Sequence, residues 1–501
     1  MAKASMKERY RLLTRDLDWK PSYVTEDELY PYTKYEGIKI HDWDAWEDPF
    51  RLTVDAYSKY QAEKDKRLYA AFDSFAQGQG HLQLTDARYL NSVKIFLQGI
   101  TPNEYYVHRH FSYIARHLNG PGPRCANLYQ GIDELRHAQT ETHALSMFNK
   151  YYSGFHSPGR MYDRVWYNSV PKSFFDDAVS GGPFEFLTAI SFSFEYFLTN
   201  LLFVPFMSGA SYNGDLSTMS FGFSAQSDES RHMTLGLEVI KFILEQDEAN
   251  VPIMQDWIDK WFWRGYRLLG IVAMMQDYML PRKVMSWKEA WELYLEQQML
   301  DGLFPDLAYY GIRPPMGIEQ AIAEKDYVSH QVHWIFYQFS HAAGFTTTVP
   351  PEAEMDWLSA QYPETFDRYY RPLYDKAARM QAGGNRFFNG GLPTLCQVCQ
   401  IPCGFSPAGD PSTILVKHCT YEDERYNFCS DGCQWIFERE PKKYIQSWLP
   451  VHQIYQGNCG GPTMPEVFDW WGLEPGDSGE YTTSSDASNW AAWHEPTGAR
   501  A

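Results

Sequence analysis

Apolar residues recur at helical spacing through most of the chain, which predicts a mainly α-helical protein. The stretch "ARYLNSVKIFLQGITPNEYYVHRHFSYIARHL" shows the pattern, with apolar side chains every three or four positions. Stretches rich in Gly, Pro and Asn, such as "NGPGPR" and "SGASYNGD", interrupt it. The predicted helical segments are residues 60–118, 127–152, 184–207, 218–246 and 250–345.

Three regions depart from this pattern. Residues 1–60 are polar and aromatic and predict an extended or irregular N-terminal arm, and residues 153–183 are rich in turn formers. From about residue 385 the chain becomes dense in Gly, Pro and Cys. We therefore predict an arm over 1–60, a helical domain over 61–385 and a separate C-terminal region over 386–501.

Composition and charge narrow the class of protein. A net charge of −19 over 501 residues argues against a nucleic-acid partner, because phosphate backbones are bound through excess Lys and Arg. The N-terminus, "MAKASMKERYRLL", shows no apolar secretory core, so a cytoplasmic location is expected. The apolar stretch 189–207 contains Glu195, Asn200 and Pro205, which favours a buried helix over a membrane span.

One motif, Asp-Glu-x-Arg-His, occurs twice: "DELRH" at 133–137 and "DESRH" at 228–232. Glu and His three positions apart share one face of a helix, where a carboxylate oxygen and an imidazole nitrogen can bind one metal ion. A single copy would be an ordinary salt-bridged surface. Two copies with the same flanking Asp and Arg indicate a metal site.

A further Glu precedes each motif on its own helical stretch. Glu104 lies 30 residues before Glu134, and Glu195 lies 34 residues before Glu229. Glu195 stands among Phe192, Phe194 and Phe197, where an unpaired carboxylate would be costly. Two Glu-x-x-His helices and two Glu helices are typical of a ferritin-like four-helix bundle that holds two irons. The predicted iron ligands are Glu104, Glu134, His137, Glu195, Glu229 and His232.

The Asp and Arg of each motif are predicted to support these ligands. A metal-bound His commonly donates its second ring N–H to a carboxylate. Asp133 and Asp228 can accept it, crosswise between the two motifs, while Arg136 and Arg231 neutralise the Asp residues. The alternative is a set of ordinary surface ion pairs.

Cysteine spacing predicts a second metal site in the C-terminal region. Cys396-x₂-Cys399 and Cys429-x₃-Cys433 suit tetrahedral structural zinc, with Cys403 or Cys419 as possible replacements. Unligated thiols are the alternative. The run "FCSDGCQWIFEREPKKY" resembles a small zinc module of the YHS or TRASH type, over about 393–446.

The doubled motif with its upstream Glu residues resembles the hydroxylase large (α) subunit of bacterial multicomponent monooxygenases, most closely that of phenol hydroxylases. The resemblance covers residues 60–345 by motif order. It implies a carboxylate-bridged di-iron centre that activates O₂ and inserts one oxygen atom into an aromatic ring, converting phenol or methylphenols to catechols. Electrons would come from NAD(P)H through a separate reductase.

The resemblance also implies roles for other residues and partners. Thr199, Asn200 and Gln226 match positions linked to O₂ activation and to proton or substrate access. The expected partners are β and γ hydroxylase subunits in an (αβγ)₂ assembly, an effector protein and a flavin/iron–sulfur reductase. This chain itself shows no Gly-rich turn for flavin or nicotinamide. The implied substrate-pocket residues are Ile100, Val107, Ile190, Phe194 and Phe203.

Other classes of protein share parts of this pattern. A toluene or alkene monooxygenase α subunit, a radical generator of the R2 type and an iron store all use buried carboxylates and His. The doubled motif together with Thr199 favours the oxygenase. A chain of 501 residues with a Cys-rich region argues against an iron store, and six organised ligands argue against a scaffold protein.

Overall fold

The computed structural model describes residues 4–16, 21–25, 28, 37–152, 155, 168–339, 349–383, 394–446, 449 and 466. Within these ranges the fold is mainly helical, as predicted. In chain order the helices are α1 Met6–Arg11, α2 Val54–Gln77, α3 Ala87–His117, α4 Pro121–Phe148, α5 Ser169–Ala178, α6 Pro183–Tyr212, α7 Leu216–Gln246, α8 Asn250–Met274, α9 Trp287–Trp291, α10 Phe304–Ala308, α11 Ile318–Glu324, α12 Val328–Phe339, α13 Glu352–Gln361, α14 Arg371–Ala382, α15 Asp431–Arg439 and α16 Pro441–Ile445.

Shorter turns of other helical types extend or join these elements. The π-helical segments are Leu12–Asp16, Thr188–Tyr196 and Phe203–Met207 within α6, Met275–Met279, Glu292–Leu300 and Phe366–Tyr370. The 3₁₀ turns are Trp43–Ala45, Gly80–Gln83 and Pro407–Gly409.

Helices α3, α4, α6 and α7 form the central four-helix bundle. Asp86 caps α3 by accepting from the backbone N–H groups of Arg88 and Tyr89, and Asp215 caps α7 by accepting from Thr218 at 2.9 Å. Such caps satisfy N–H groups that have no partner inside the helix. The bundle is therefore bounded by local signals that the sequence itself carries.

The breaks between these helices are shorter than the sequence indicated. Helix α4 already begins at Pro121, inside the predicted interruption, because Pro in the first helical turn loses no hydrogen bond. Helix α6 runs on to Tyr212, and the turn before α7 needs only three residues around Gly214, whose φ is +84°. Predicting turns across 153–183 was wrong for α5, whose Val170, Phe174 and Phe175 are buried.

Helix α6 is the most apolar long helix in the described part of the chain. By length and composition it could cross a membrane, but 78% of its most apolar 18-residue stretch is buried inside the protein. Helices α7 and α8 pack against it. This burial is typical of the central helix of a large core.

The C-terminal module packs against α8. Strands β1 Lys417–Tyr421 and β2 Glu424–Phe428 pair antiparallel, with Lys417 opposite Phe428. The Trp263 indole N–H donates to Ser430 Oγ at 3.1 Å, and Gly432 lies so close to the Trp263 ring that any side chain would collide with it. Helix α8 is thus a shared wall between the bundle and the module.

Candidate metal centres

Four bundle helices direct acidic and imidazole side chains toward one interior region. Because Glu and His are three residues apart in α4 and again in α7, each helix presents both groups on the face that meets the other. Five of the six side chains are buried and Glu104 is half-buried. The contributions are Glu104 from α3, Glu134 and His137 from α4, Glu195 from α6, and Glu229 and His232 from α7.

One half of the cluster surrounds His137. Its Nδ1 lies 3.2 Å from Glu134 Oε2, 3.5 Å from Glu229 Oε1 and 3.7 Å from Glu104 Oε2. Nitrogen and oxygen atoms at this separation can share one cation at their centre. This half is therefore a three-carboxylate, one-imidazole site.

The other half surrounds His232 and mirrors the first. Its Nδ1 lies 3.3 Å from Glu134 Oε1, 3.5 Å from Glu229 Oε2 and 4.0 Å from Glu195 Oε1. Glu134 and Glu229 therefore present one oxygen to each histidine, whereas Glu195 belongs to this half alone. The geometry suits two neighbouring cations bridged by two carboxylates.

The electrostatics of the cluster also favour bound cations. Burial, and then the charge of Glu229, raise the pKa of Glu195 to about 8, and burial raises the pKa of Glu134 well above its usual value. Buried atoms without a hydrogen-bond partner include Glu134 Oε1, His137 Nδ1 and His232 Nδ1. Crowded carboxylates and imidazoles of this kind are the donors that iron accepts, so the residues present fit a di-iron centre.

The outer ring nitrogens of both histidines meet Asp residues crosswise. His137 Nε2 lies 3.2 Å from Asp228 Oδ2, and His232 Nε2 lies 3.3 Å from Asp133 Oδ2. Burial opposes ionisation of Asp228, yet the hydrogen bonds from His137 and Lys64 hold its pKa well below the usual range. Each imidazole is therefore oriented with Nδ1 toward the cluster.

Two arginines from the motifs balance these Asp residues. Arg136 lies 3.1 Å from Asp133 and 3.2 Å from Asp228, and Arg231 pairs with Asp133. Both Asp side chains are buried. A buried charge is tolerated only when it is paired and hydrogen-bonded, and here both conditions hold.

Helix α2 completes this network, which the sequence reasoning missed. Tyr57 donates its hydroxyl to Asp133 at 2.6 Å, and Gln61 donates to Asp133 at 2.6 Å and to Asp228 at 2.8 Å. Lys64 forms an ion pair with Asp228. Positions 57, 61 and 64 share one helix face, so their spacing was the available signal. Residues 54–60 had been assigned to the N-terminal arm, so this spacing was not recognised.

Gln130 is a further residue that sequence reasoning missed. It lies one helical turn before Glu134, and its amide donates to both carboxyl oxygens of Glu195, at 3.1 and 2.9 Å. The side chain is buried. Gln130 thus holds the Glu195 carboxyl group in place.

Helix α6 changes its winding around Glu195. Thr188–Tyr196 is π-helical, a form that occurs mostly as short insertions at functional sites. Thr199 is buried, and its hydroxyl donates to the Phe194 carbonyl at 3.2 Å. Asn200 and Gln226 are half-buried.

A largely apolar cavity lies between α3, α5, α6 and α8. Ile100 and Phe194 line it, together with Phe96, Phe175 and Met275. The other three predicted pocket residues are buried but do not line this cavity: Val107, Ile190 and Phe203.

Four buried cysteines form a separate cluster in the C-terminal module: Cys396, Cys399, Cys429 and Cys433. Cys429 Sγ lies 3.5 Å from Cys399 Sγ and 3.7 Å from Cys433 Sγ. A tetrahedron with zinc–sulfur bonds of about 2.3 Å has edges of about 3.8 Å, so the spacing fits zinc. Cys403 and Cys419 stand outside this group.

Comparison with known proteins adds family relationships to this geometry. The methane/phenol/alkene hydroxylase family model matches residues 19–247, and the YHS domain model matches residues 417–448. Cys396 and Cys399 lie before the second match. The chain is 58% identical over 490 residues to phenol 2-monooxygenase, oxygenase component DmpN, of Pseudomonas sp. (strain CF600), covering 97% of this chain and 95% of that protein.

A more distant relative and a solved structure are also similar to this chain. The alkene monooxygenase oxygenase component subunit alpha of Xanthobacter autotrophicus is 26% identical, covering 92% of this chain and 93% of its own. The crystal structure of xenon-pressurized phenol hydroxylase from Pseudomonas sp. OX1 superposes with a TM-score of 0.92 at 58% identity. It covers 98% of this chain and 100% of that one.

Proposed function

The chain belongs to the methane/phenol/alkene hydroxylase family, and we propose that it is the oxygenase component of an aromatic monooxygenase that converts phenol and methylphenols to catechols. One observation carries the proposal. The buried cluster of four carboxylates and two imidazoles lies in a chain that is 58% identical, almost end to end, to a phenol 2-monooxygenase oxygenase component.

The six clustered side chains would hold two irons. When reduced, such a pair supplies the activation of O₂ from which one oxygen atom enters the ring and the other leaves as water. Glu134 and Glu229 lie between the two histidines and would bridge the metals. Glu104 and Glu195 would each serve one metal.

The surrounding residues would orient these ligands and move protons. Asp133 and Asp228 hold the imidazoles, and Arg136 and Arg231 balance the charge of those Asp residues. On helix α6, Thr199 would relay a proton at its hydroxyl oxygen. Asn200 and Gln226 would serve access to the site from their half-buried positions.

The apolar side chains would shape the substrate site. Ile100 and Phe194 line the cavity and would select by fit. Phe203, Ile190 and Val107 are buried in the same core and would support that wall from behind.

The assembly would contain further proteins. The names of the relatives describe an oxygenase component and an alpha subunit, that is, parts of larger systems. We place β and γ subunits in an (αβγ)₂ complex with this chain, with an effector protein and a flavin/iron–sulfur reductase that draws on NAD(P)H. The complex would work in the cytoplasm.

The C-terminal region, 386–501, would form a zinc module attached to the helical domain of 61–385, with the arm 1–60 before it. The four clustered cysteines would bind zinc, because soft thiolates select it over the oxygen-rich site. Four protein ligands close the coordination sphere, so this zinc would be structural.

The decisive experiment is reconstitution with ¹⁸O₂. The iron-loaded complex, with effector, reductase and NADH, should convert phenol to catechol that carries one ¹⁸O atom. The matched pair is Glu195→Gln against Glu185→Gln, since both carboxylates are buried in α6 but Glu185 pairs with Lys260 outside the cluster. We expect iron loss and inactivity only for Glu195→Gln. An iron-loaded, reduced complex that forms no ring-hydroxylated product would contradict the proposal.

A further inference from the structure

A fifth buried carboxyl group faces the cluster without belonging to it. Glu141 lies four residues after His137 and seven after Glu134 on α4, so the three side chains share one helix face. Only 3% of Glu141 is exposed, yet its Oε2 has no hydrogen-bond partner among the described residues. A buried polar atom without a partner destabilises the folded protein and calls for an explanation.

The surroundings of Glu141 place it on the His137 side of the cluster. The carboxyl group lies close enough to Glu104 and His137 for their charges to act on it. It also lies beside Thr101, whose hydroxyl donates to the Leu97 carbonyl at 2.7 Å. Thr101 is the neighbour of Ile100, which lines the apolar cavity. Glu141 therefore lies beside the metal cluster, where α4 packs against α3, although it is not among the residues that line the apolar cavity.

Glu141 does not fit the role of a metal ligand. Its oxygens are not among the atoms that group within one cation's reach, whereas Glu104, Glu134 and His137 are. Burial, and then the charge of Glu104, raise the pKa of Glu141 well above its usual value. A buried carboxyl group with an unpartnered oxygen, on the helix face that carries the cluster, can recognise a hydroxyl group on a ring that reaches the metals.

We propose that Glu141 binds the hydroxyl group of a phenolic substrate, with Oε2 accepting the O–H hydrogen bond. The proposal rests on the proposed function and deepens it by naming the residue that recognises the substrate's polar group. Most residues that line the cavity are apolar and select by fit, with Asn103 and Asn168 as the polar exceptions. A site built to bind a hydroxyl rejects the analogue that lacks one far more strongly than a merely apolar pocket can.

Anchoring also determines which ring carbon reacts. A ring held by its hydroxyl at Glu141 cannot rotate freely beside the metals. The carbon next to the hydroxyl should then be presented in most turnovers, giving catechol as the main product. Loss of the anchor should release the other ring positions.

The test compares Glu141→Leu with Glu141→Gln in the iron-loaded, reconstituted complex, using phenol and benzene as substrates. Gln keeps an acceptor oxygen and Leu removes it at similar size. Replacing an unpartnered polar group by an apolar one should not unfold the protein. We expect Glu141→Leu to raise the phenol KM by about tenfold or more, to change benzene KM and kcat less than twofold, and to lower the catechol fraction. Glu141→Gln should stay close to the unsubstituted protein.

A comparison without any variant keeps the inference testable if Glu141→Leu folds poorly. The unsubstituted complex should bind phenol much more tightly than anisole (methoxybenzene), whose oxygen has no hydrogen to donate. Parallel changes for phenol and benzene, or equal binding of phenol and anisole, would overturn the role of Glu141. An unsubstituted complex that hydroxylates neither phenol nor benzene would instead overturn the proposed function.

Discussion

The two clusters of metal-binding side chains are built in opposite ways. The bundle cluster gathers oxygen and nitrogen donors from four helices and leaves buried atoms without partners. The cysteine cluster gathers four sulfurs from one small module, and these sulfurs lie against each other. A metal site with an open coordination position can admit a substrate. A site closed by four protein ligands suits a structural metal instead.

The surroundings of the bundle cluster and of the cysteine cluster also differ. The bundle cluster is enclosed by a charged network that reaches Tyr57, Gln61 and Lys64 on α2. The cysteine cluster instead lies beside close backbone packing, with Gly432 against the Trp263 ring. The first environment tunes ligand orientation and charge, and the second fixes one helix against another.

Helix α8 connects the two regions. One part of it presents Leu268, Ile271 and Val272 to the apolar cavity. Another part carries Arg264, whose side chain pairs with buried Asp177 at 3.2 Å, while Lys443 of the module pairs with the same Asp at 2.5 Å. The comparison therefore predicts that damage to the bundle cluster abolishes chemistry, whereas damage to the module loosens a cavity wall.

The largest expected effect is that of Glu134→Ala. Glu134 presents one oxygen to each half of the cluster, so its loss should remove iron from both positions and lower catechol formation by roughly a thousandfold or more. Elemental analysis and product assays measure both. Glu185→Gln is the control. Full iron content with normal turnover would show that the cluster is misassigned.

Cys429→Ser should have the reverse signature. We expect loss of one zinc per chain and a lower Tm, because structural zinc contributes several kcal/mol of folding free energy, whereas iron per folded chain stays unchanged. Cys419→Ser is the matched control, since Cys419 is half-buried in β1 outside the cluster. Freshly purified protein that contains no zinc would contradict the assignment of the cysteine cluster as a zinc site.

Asp228→Asn should weaken the bundle cluster without removing a ligand. Asn cannot balance Lys64 and Arg136 or hold His137 as a carboxylate does, so iron affinity should fall by roughly 10- to 100-fold. Competitive chelator titration measures this, and Asp256→Asn serves as the control, because Asp256 is a half-buried carboxylate that pairs with Arg439 outside the cluster. An unchanged affinity would mean that the network only packs the helices.

Thr199 distinguishes chemistry from shape within the bundle. Thr199→Ser keeps a hydroxyl and should remain active, whereas the near-isosteric Thr199→Val should consume O₂ with poor yield of product, because it cannot relay a proton. Parallel measurement of O₂ uptake and catechol gives the coupling ratio. Full coupling in Thr199→Val would remove Thr199 from the proton path.

The sequence was most informative about site residues that lie only a few positions apart in one helix. Glu134 with His137, and Glu229 with His232, are three residues apart, and the helix itself brings each pair to one face. Glu195 was recognisable because a carboxylate among Phe residues needs a partner. The mainly helical fold followed from the same periodicity.

What the sequence did not show depends on long-range packing. Gln61 meets Asp228 across 167 positions, and no local pattern predicts such a contact. Periodicity shows that Val107, Ile190 and Phe203 are buried, but it does not show which wall of the core leaves a cavity. Helix α5 was missed because neighbouring Gly and Pro residues outweighed its short apolar pattern.

The smallest predicted effect concerns Ile100. Its side chain lines the apolar cavity, one turn before Glu104 on α3, so it can limit how a ring approaches the metals without touching them. Ile100→Gly should admit bulkier aromatics and shift product ratios by a few-fold, since apolar pockets discriminate by about 1–3 kcal/mol per methylene. Iron content and coupling should not change.

The control for Ile100→Gly is Ile114→Ala, which also removes buried volume from α3 but lies outside the cavity lining. Both variants should lose stability, yet only Ile100→Gly should change the products formed from methylphenols. Product analysis at matched temperature separates the two effects. If both variants shifted the products alike, general softening of α3 would explain the change, and the cavity next to Ile100 would not be the path by which substrates reach the bundle cluster.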